Sequence, residues 1–464
     1  MKKHLLFLLT ILSSTIGISQ VSQVADLNPG AGDSYATPEL TINGDLIFTT
    51  WISGETEVWS YDGTNTPTLL TQIDPSLIVG RYVHLLNSFN GKLYFTYGNP
   101  SGGYGEGLWE YDFVNAPTKI LDSDVSDAEM SYSSIVFNNK LYFSCSDPTN
   151  GMELWSYDGT NTPTLAYDLH PTGNSSPSSF TIFQSKLYFA AYDASITYLY
   201  EFDGTNTPTV ITNNLSFVSE NFPMVNNKIY FTKRTNQMTF SECVYEFDGT
   251  NVTLLNLANI GEGQDFRSTN INSAHFGKLY FSVTEWATGQ WKYWEYDFTN
   301  PPGPSTYPLH QAASHNNVAY FYHNGDSFGK ELWKYDGTTA TRLTDLNPAG
   351  DMYVASNPYH YQNKIYFGAS DEVTGAELWV YDPNFVGVNE NTLNSVNVYP
   401  NPVTSTIQIE TDGNLESATV YDLSGNVIET FNSNTFSLEH LTSGMYIISV
   451  QTEKGNAQTK FIKN

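Results

Sequence analysis

Glu153–Leu165 reads ELWSYDGTNTPTL, and close copies stand at 57–69 (EVWSYDGTNTPTL), 198–210 (YLYEFDGTNTPTV) and 331–343 (ELWKYDGTTATRL). The Asp of the Tyr/Phe-Asp pair recurs at Asp62, Asp112, Asp158, Asp203, Asp248, Asp297, Asp336 and Asp382, about 46 residues apart on average. A second marker precedes each one. It is DLIF at 45–48, KLYF from Lys92, Lys140, Lys186 and Lys278, KIYF from Lys228 and Lys364, and VAYF at 318–321. Two markers in phase, eight times over, define an internal repeat of the kind that builds stacked or ring-shaped architectures.

Each unit resolves into four short strands. The first is loosely patterned, as in SSFTIFQ, and a pair such as Asn43-Gly44, Asn138-Asn139 or Gln184-Ser185 turns it into KLYF. Such pairs accept positive φ at both central positions of a tight hairpin. The third strand is ELWSYD, and DGTNTP turns it into a fourth, such as TLLTQI. Along the third strand the aromatics (Trp59, Trp109, Trp155, Tyr200, Tyr245, Trp294, Trp333, Trp379) alternate with Leu or Val, so both faces are apolar. That pattern suits a sheet sandwiched between two like itself, and about 46 residues per four strands matches a propeller blade. The eighth unit stops at LWVYDPNF without a fourth strand, whereas VSQVADLNPG near the start matches TRLTDLNPAG at 341–350. The expected fold is therefore all-β, an eight-bladed β-propeller closed by an N-terminal strand, followed by a small C-terminal β-sandwich.

On these residues the repeat resembles the ELWxxDGT family of bacterial exported proteins over most of 21–386. Glu153, Leu154, Trp155, Asp158, Gly159 and Thr160 match fully, as do Glu331–Trp333 with Asp336–Thr338. The copies at Asp112, Asp297 and Asp382 lose the Gly-Thr, which leaves their turn type open. The resemblance implies a β-propeller and no reaction. Asp158-Gly159-Thr160 then reads as an Asp capping its own turn, since eight equivalent carboxylate sites make an odd enzyme.

Residues 1–19 begin with two lysines, carry an apolar run from Leu5 to Leu12 and end in small residues, the order of a secretory signal. Cleavage is expected after Ser19, leaving Gln20 first, with no cysteine there for lipid attachment. The run is shorter than the roughly 20 apolar residues of a membrane span, and no other segment is apolar enough. The formal charge of −28 and the lack of a basic cluster make nucleic acid and anionic membrane surfaces poor candidate partners, and no nucleic acid is expected. Charged residues at 15% and aromatics at 15% describe an extracellular β protein rather than an average one, which carries about 25% charge. Cys145 and Cys243 fall two units apart, too far to bridge, and are expected as free, mostly buried thiols.

After a linker at 387–395 the character changes. VNVYPNPVTSTIQIE, ATVYDLSGNVIET and LTSGMYIISVQTEKGNAQTKFIKN alternate apolar and polar residues between Gly turns, enough for a small β-sandwich over 396–464. This module resembles the type A sorting domain of the type IX secretion system. The matching residues are Tyr399, Pro400, Asn401 and Pro402, the turn at Gly425, Gly444 with Tyr446, and Lys460 in the terminal KFIK. The resemblance implies two-step export: a signal peptide crosses the inner membrane, then the tail is read by the type IX machinery at the outer one.

GxSxG, HExxH, CxxC, Walker and GxGxxG patterns are absent. Turns after strands one and three repeat closely and share one rim. Loops after strands two and four differ between units and mark the opposite rim as the place for recognition. Candidate binding residues there are Trp51, Tyr104, Arg234, Trp286 and Trp291, aromatic and polar groups of the kind that stack on sugars or grip a protein. Asp122, Asp124, Asp127 and Glu129 in one loop form a weak Ca²⁺ candidate, without the EF-hand glycine. His310, His315, His323 and His360 are read as unlinked surface or core residues. No cofactor is expected. The leading expectation is a non-enzymatic binding propeller; the alternatives are a polysaccharide hydrolase or lyase with its site in the channel, or a structural surface component.

Overall fold

A computed structural model describes residues 20–73, 82–98, 106–121, 130–193, 196–216, 221–234, 242–255, 266–285, 291–309, 312–324, 329–347, 350–354, 356–371, 373–385, 396–411, 413–422, 427–452 and 455–464. All regular elements among them are strands. The chain divides into two compact units, Val21–Asn384 and one holding Phe385–Asn464.

The larger unit contains eight four-stranded antiparallel sheets. Seven are local meanders, within 37–69, 82–121, 130–167, 178–213, 224–254, 266–304 and 313–342. The eighth takes three strands from 359–381 and its fourth from Val21–Ala25, with Val21 opposite Tyr381 and Gln23 opposite Trp379. The residues that follow lock this strand in place. Leu27 N donates to Glu377 Oε2 at 2.9 Å, and Ala376 N donates to Asp33 Oδ1 at 2.8 Å.

Hairpin chemistry sets the registers. All eight turns after the first strand have positive φ at both central residues, from Asn43-Gly44 to Gln362-Asn363. Asn is tolerated in that region because its short polar side chain bonds locally. Seven of the eight turns after the third strand share one geometry; at Asp382, followed by Pro383, the carboxylate accepts from Asn384 N. In the third sheet Asp158 Oδ1 accepts from Thr160 N and Asn161 N at 2.8 Å each, while Asn161 Nδ2 donates to Asp158 Oδ2. These bonds hold the carboxyl well below the usual range. The open question at Asp112 and Asp297 resolves the same way. Phe113 and Phe298 take the glycine's place at φ 64° and 62°, and each Asp still accepts from the two amides beyond it. A left-handed phenylalanine costs about 1–2 kcal/mol, and ring contacts offset it: Phe298 lies 4.7 Å from Tyr296 and 5.7 Å from Tyr230 of the neighbouring sheet.

Apolar faces then force the sheets together. Phe95 and Phe143 are fully buried, and each buried aromatic or Leu contributes roughly 1.5–3 kcal/mol. One core cluster joins the first sheet to the second, another the second to the third, and so on to the eighth. An eighth cluster joins the last sheet to the first through Leu46, Phe48, Tyr366 and Leu378. Side-chain bonds repeat the pattern along one rim. Asn138 Nδ2 donates to Asp203 O, Gln184 Nε2 to Asp248 O and, across the last seam, Gln362 Nε2 to Asp62 O, at 3.1–3.2 Å. These bonds hold the two repeated turn types of neighbouring units together on one rim. Cys145 is buried, Cys243 half-buried, and both are free; burial pushes the Cys145 thiol up to about 12.

Glu39, on the first strand of the first sheet, has its carboxyl pushed up to about 7 by burial, against the opposing effect of the Thr49 hydroxyl at 2.5 Å. A folded value above the unfolded one favours the protonated form, so this stabilisation is complete below about pH 4.5 and lost as pH rises through about 7. The side chain is only half-buried by surface area, which limits the loss to about 2 kcal/mol. Glu39→Gln is therefore expected to raise the thermal midpoint at pH 8 by a few degrees and to leave it nearly unchanged at pH 5, measured by circular dichroism.

The smaller unit has a three-stranded sheet (Val396–Tyr399, Thr406–Thr411, Thr435–Ser437) and a four-stranded one (Val427–Phe431, Leu415–Tyr421, Gly444–Thr452, Gly455–Lys463). They share one core that includes Ile407, Val420, Leu438, Ile448 and Phe461.

Candidate functional site

Two places on the chain gather residues that the repeat does not demand. The first lies on the rim opposite the Asn-Gly and Asp-Gly turns, where the sixth, seventh and eighth sheets meet. A cavity of about 660 Å³ is lined by Tyr293, Phe321, Tyr322, His323, Asn324, Lys330, Ser356 and Asn357, with Pro308 and Val354. That volume falls among small-molecule sites, about 300–1,000 Å³.

Its wall is built by the seventh sheet. Phe321–His323 end the strand Val318–His323, and Lys330 immediately precedes the strand Glu331–Tyr335. Asp351 Oδ1 accepts from Lys330 N at 2.9 Å, and Met352 N donates back to Lys330 O at 3.1 Å, so the incoming loop fixes this end of the strand. Gly329 permits the approach: at φ +80° a Cβ would lie 2.5 Å from Gly350 O. Glu331, fully buried beneath, accepts from Thr344 Oγ1 at 2.5 Å. Glu153 does the same for its own loop, accepting from Leu169 N and from Ser175 Oγ. The Glu of the ELW stretch is thus a loop anchor. Burial raises both carboxyls.

His323 sits among rings, 5.4 Å from Tyr307 and 5.5 Å from Trp333, both edge-on. Tyr322 carries the Lys330 ammonium 5.8 Å from its ring centroid. Its hydroxyl and the Ser356 hydroxyl are buried without hydrogen-bond partners among the described residues, and burial pushes the Tyr322 phenol far above its usual value. Buried hydroxyls without partners cost about 1–3 kcal/mol each.

The residues singled out from sequence are distributed differently. Trp51 is 43% exposed at the end of the strand Asp45–Ile52, and its backbone amide donates to Ser34 O at 2.7 Å. The stretch around it is a tight hairpin rather than a loop, because Ser53-Gly54 adopt positive φ at both positions. Arg234 ends the corresponding strand of the fifth sheet, exposed, and Trp291 opens a strand of the sixth opposite Thr284. Trp51 and Arg234 belong to sheets that share no core cluster, so the fold does not bring them together. Tyr104, Trp286 and the acidic group Asp122, Asp124, Asp127 and Glu129 lie outside the described residues, as does His310. No three-residue metal-binding group occurs among the described residues. Two histidines read as unlinked are in fact paired: His315 and His360 stack 4.0 Å apart on the first strands of the seventh and eighth sheets. His323 is on the other rim.

The second place is the tail. Asn401 Oδ1 accepts from Ile462 N at 2.9 Å, and its Nδ2 donates to Lys460 O at 3.3 Å. Val403 N donates to Ile462 O at 2.8 Å. Tyr446 stacks on Phe461 at 5.6 Å and donates its hydroxyl to Thr442 O at 2.8 Å, while Gly444 pairs with Lys463. Residues from Tyr399–Pro402, Gly444–Tyr446 and Lys460 therefore converge on the last strand, with both X-Pro bonds of the first segment cis. Gly425 is outside the described residues.

Residues 397–464 match the family described as the secretion system C-terminal sorting domain. The tail indicates secretion through the type IX system to the cell surface or the extracellular space, and with it an interaction with that machinery. No helix among the described residues is long and apolar enough to cross a membrane. No curated protein matches the chain. Solved structures similar to it include a puromycin-hydrolyzing peptidase of Mycobacterium tuberculosis, at 11% identity and TM-score 0.42, covering 74% of this chain and 61% of that one. The β-propeller domain of the Trilobed protease from Pyrococcus furiosus gives 14% identity and TM-score 0.41, covering 68% and 97%. Prolyl oligopeptidase B from Galerina marginata gives 14% and 0.43, covering 80% and 55%. The chain spans less than two thirds of the mycobacterial peptidase.

Proposed function

We propose that residues 20–386 form an eight-bladed, ELWxxDGT-type β-propeller that binds sugar outside the cell without transforming it. A signal peptide at 1–19 starts the export, and a small sandwich at 396–464, joined by a linker at 387–395, directs the second step. The observation that carries the binding role is the cavity at Tyr322 and His323. Aromatic faces stack on the apolar faces of sugar rings, and Asn324, Asn357, Ser356 and Lys330 supply hydrogen-bonding groups around them. Trp51 and Arg234 stand at the equivalent strand ends of the first and fifth sheets and extend the same rim; Trp291, Trp286 and Tyr104 are proposed as further contacts of a long glycan.

A glycan array on the exported protein, followed by calorimetry on the best neutral oligosaccharide, tests this reading. Tyr322→Ala and His323→Ala are each expected to weaken binding at least about tenfold, as expected for truncated aromatic anchors; Trp51→Ala should cost less. Undiminished affinity in both cavity variants, with circular dichroism showing them folded, removes the cavity from the account. Turnover of the bound glycan would replace binding with catalysis.

A further inference from the structure

On the opposite rim, four sheets carry the same Lys–Glu pair. A Lys at the start of the second strand pairs with a Glu on the third: Lys92–Glu110, Lys186–Glu201, Lys228–Glu246 and Lys278–Glu295, at 2.5–2.7 Å. A Tyr on the second strand stands directly opposite that Glu in each, and in the second and fourth sheets it shares the carboxylate. Tyr94 and Tyr188 donate their hydroxyls to Glu110 and Glu201 at 3.3 and 2.6 Å. In the second sheet the same carboxylate also reaches the next sheet, where Tyr157 donates to Glu110 at 3.2 Å. The carboxylate thus fills a slot between two tyrosines whose rings are 5.9 Å apart.

The seventh sheet keeps the slot and inverts its charge. Tyr320 and Tyr381 stand 5.7 Å apart, in the arrangement of Tyr94 and Tyr157. The residue opposite Tyr320 is Lys334, and Val318 occupies the place of the usual Lys. Among the eight equivalent positions (Ser60, Glu110, Ser156, Glu201, Glu246, Glu295, Lys334, Val380) this is the one cation. Lys334 forms no ion pair among the described residues. A cavity of about 330 Å³ opens there, lined by Tyr320, Lys334, His315, Asn316, Thr339 and Thr341, with Val318, Asp336, Pro383 and Asn384. The Asp336 carboxylate on its wall is already engaged, accepting from Thr338 N, Thr338 Oγ1 and Thr339 N, which hold it down at about 2. His315 is braced on one side by His360 and on the other by the Asn316 amide, 2.7 Å from Nε2.

We infer that this cavity binds the carboxylate of a small ligand, which pairs with Lys334 as glutamate and lysine pair in the second, fourth, fifth and sixth sheets. Lys334 supplies the charge, and the Tyr320 hydroxyl donates as Tyr94 and Tyr188 do in their sheets. Asn316, Thr339 and Thr341 suit the hydroxyls of a sugar acid. The site is separate from the aromatic cavity on the other rim, and its test does not depend on that reading.

Calorimetry on the whole protein with sodium glucuronate, sodium acetate and glucose decides it. Glucuronate and acetate are expected to bind in competition and glucose not to bind. Tighter binding of glucuronate identifies a sugar acid as the ligand, and equal binding identifies a bare carboxylate. Lys334→Glu restores the residue of the other sheets and is expected to fold normally while losing both anions. Lys334→Met removes the charge without filling the slot and is expected to weaken both at least about tenfold, the loss expected for a charge-assisted bond; it decides the matter should the Glu variant misfold. The inference fails with glucose binding as well as glucuronate, with neither anion binding the parent protein, or with unchanged anion affinity in the folded variants.

Discussion

Deleting Lys460–Asn464 is expected to abolish appearance of the protein outside the cell while leaving its synthesis intact, with the chain accumulating between the two membranes. One buried ring and four hydrogen bonds carry this expectation. Phe461 is fully buried in the tail's core. Asn401 bonds to the backbone of both Lys460 and Ile462, Val403 to Ile462, and Asn464 N donates to Val403 O at 2.9 Å. Losing Phe461 alone costs about 3–5 kcal/mol, a large share of the stability of a unit some 70 residues long. Asn401→Ala removes two of the bonds and keeps the core, so it should lower export partially. Immunoblots of periplasmic and extracellular fractions measure both. Full export of the truncated chain would mean that the converging motif residues are not what the machinery reads.

Removing Gln20–Asn28 should be the most damaging small deletion in the larger unit. It strips the strand Val21–Ala25 from the eighth sheet and exposes the edge at Trp379–Tyr381. It also deletes the Leu27 amide that Glu377 accepts, leaving a fully buried carboxyl with fewer donors. Breaking a buried charged group's contacts costs about 3–5 kcal/mol, and an unpaired strand edge invites association. A fall of about 10 °C or more in the thermal midpoint is expected, together with oligomers in size-exclusion chromatography. Deleting a peptide of equal length from the tail should leave the midpoint of the larger unit unchanged.

These two effects also show what the sequence makes legible. Turn pairs with obligate positive φ and strands with apolar residues on both faces are local chemistry, so eight sheets and their registers can be read directly. The spare first strand is legible because Val21–Gly30 copies the fourth strand and loop of another unit. The tail's motif residues are legible as a set, although only the fold explains them, through their meeting on the last strand.

Recognition surfaces are harder, because they are made where the repeat fails. The aromatic cavity takes Tyr293 and His323 from the sixth and seventh sheets and Ser356 from the segment before the eighth, and no local pattern joins them. Trp51 is a candidate from its aromatic ring on the variable rim, yet its neighbourhood is a hairpin. Likewise His315 and His360 are 45 residues apart, and only the packing of neighbouring first strands stacks them. The carboxylate slot had a visible signal all along: aligning the residue before the last aromatic of each third strand shows Glu four times and Lys334 once. The meaning of that column needed the cross-strand tyrosine opposite it. Glu153, Glu331 and Glu377 give a similar lesson, since their partners are loop amides and hydroxyls 13 or more residues away, in one case 350.

Both rims exist only where the ring of sheets is complete, and hydrogen–deuterium exchange at the seam between the first strand and the eighth sheet measures this most directly. The amides of Val21–Ala25 should exchange as slowly as those of Gly375–Tyr381, and the two segments should lose protection together on heating. Exchange of 21–25 at the rate of a free peptide, while 375–381 stays protected, would contradict closure of the ring by the chain's own first strand.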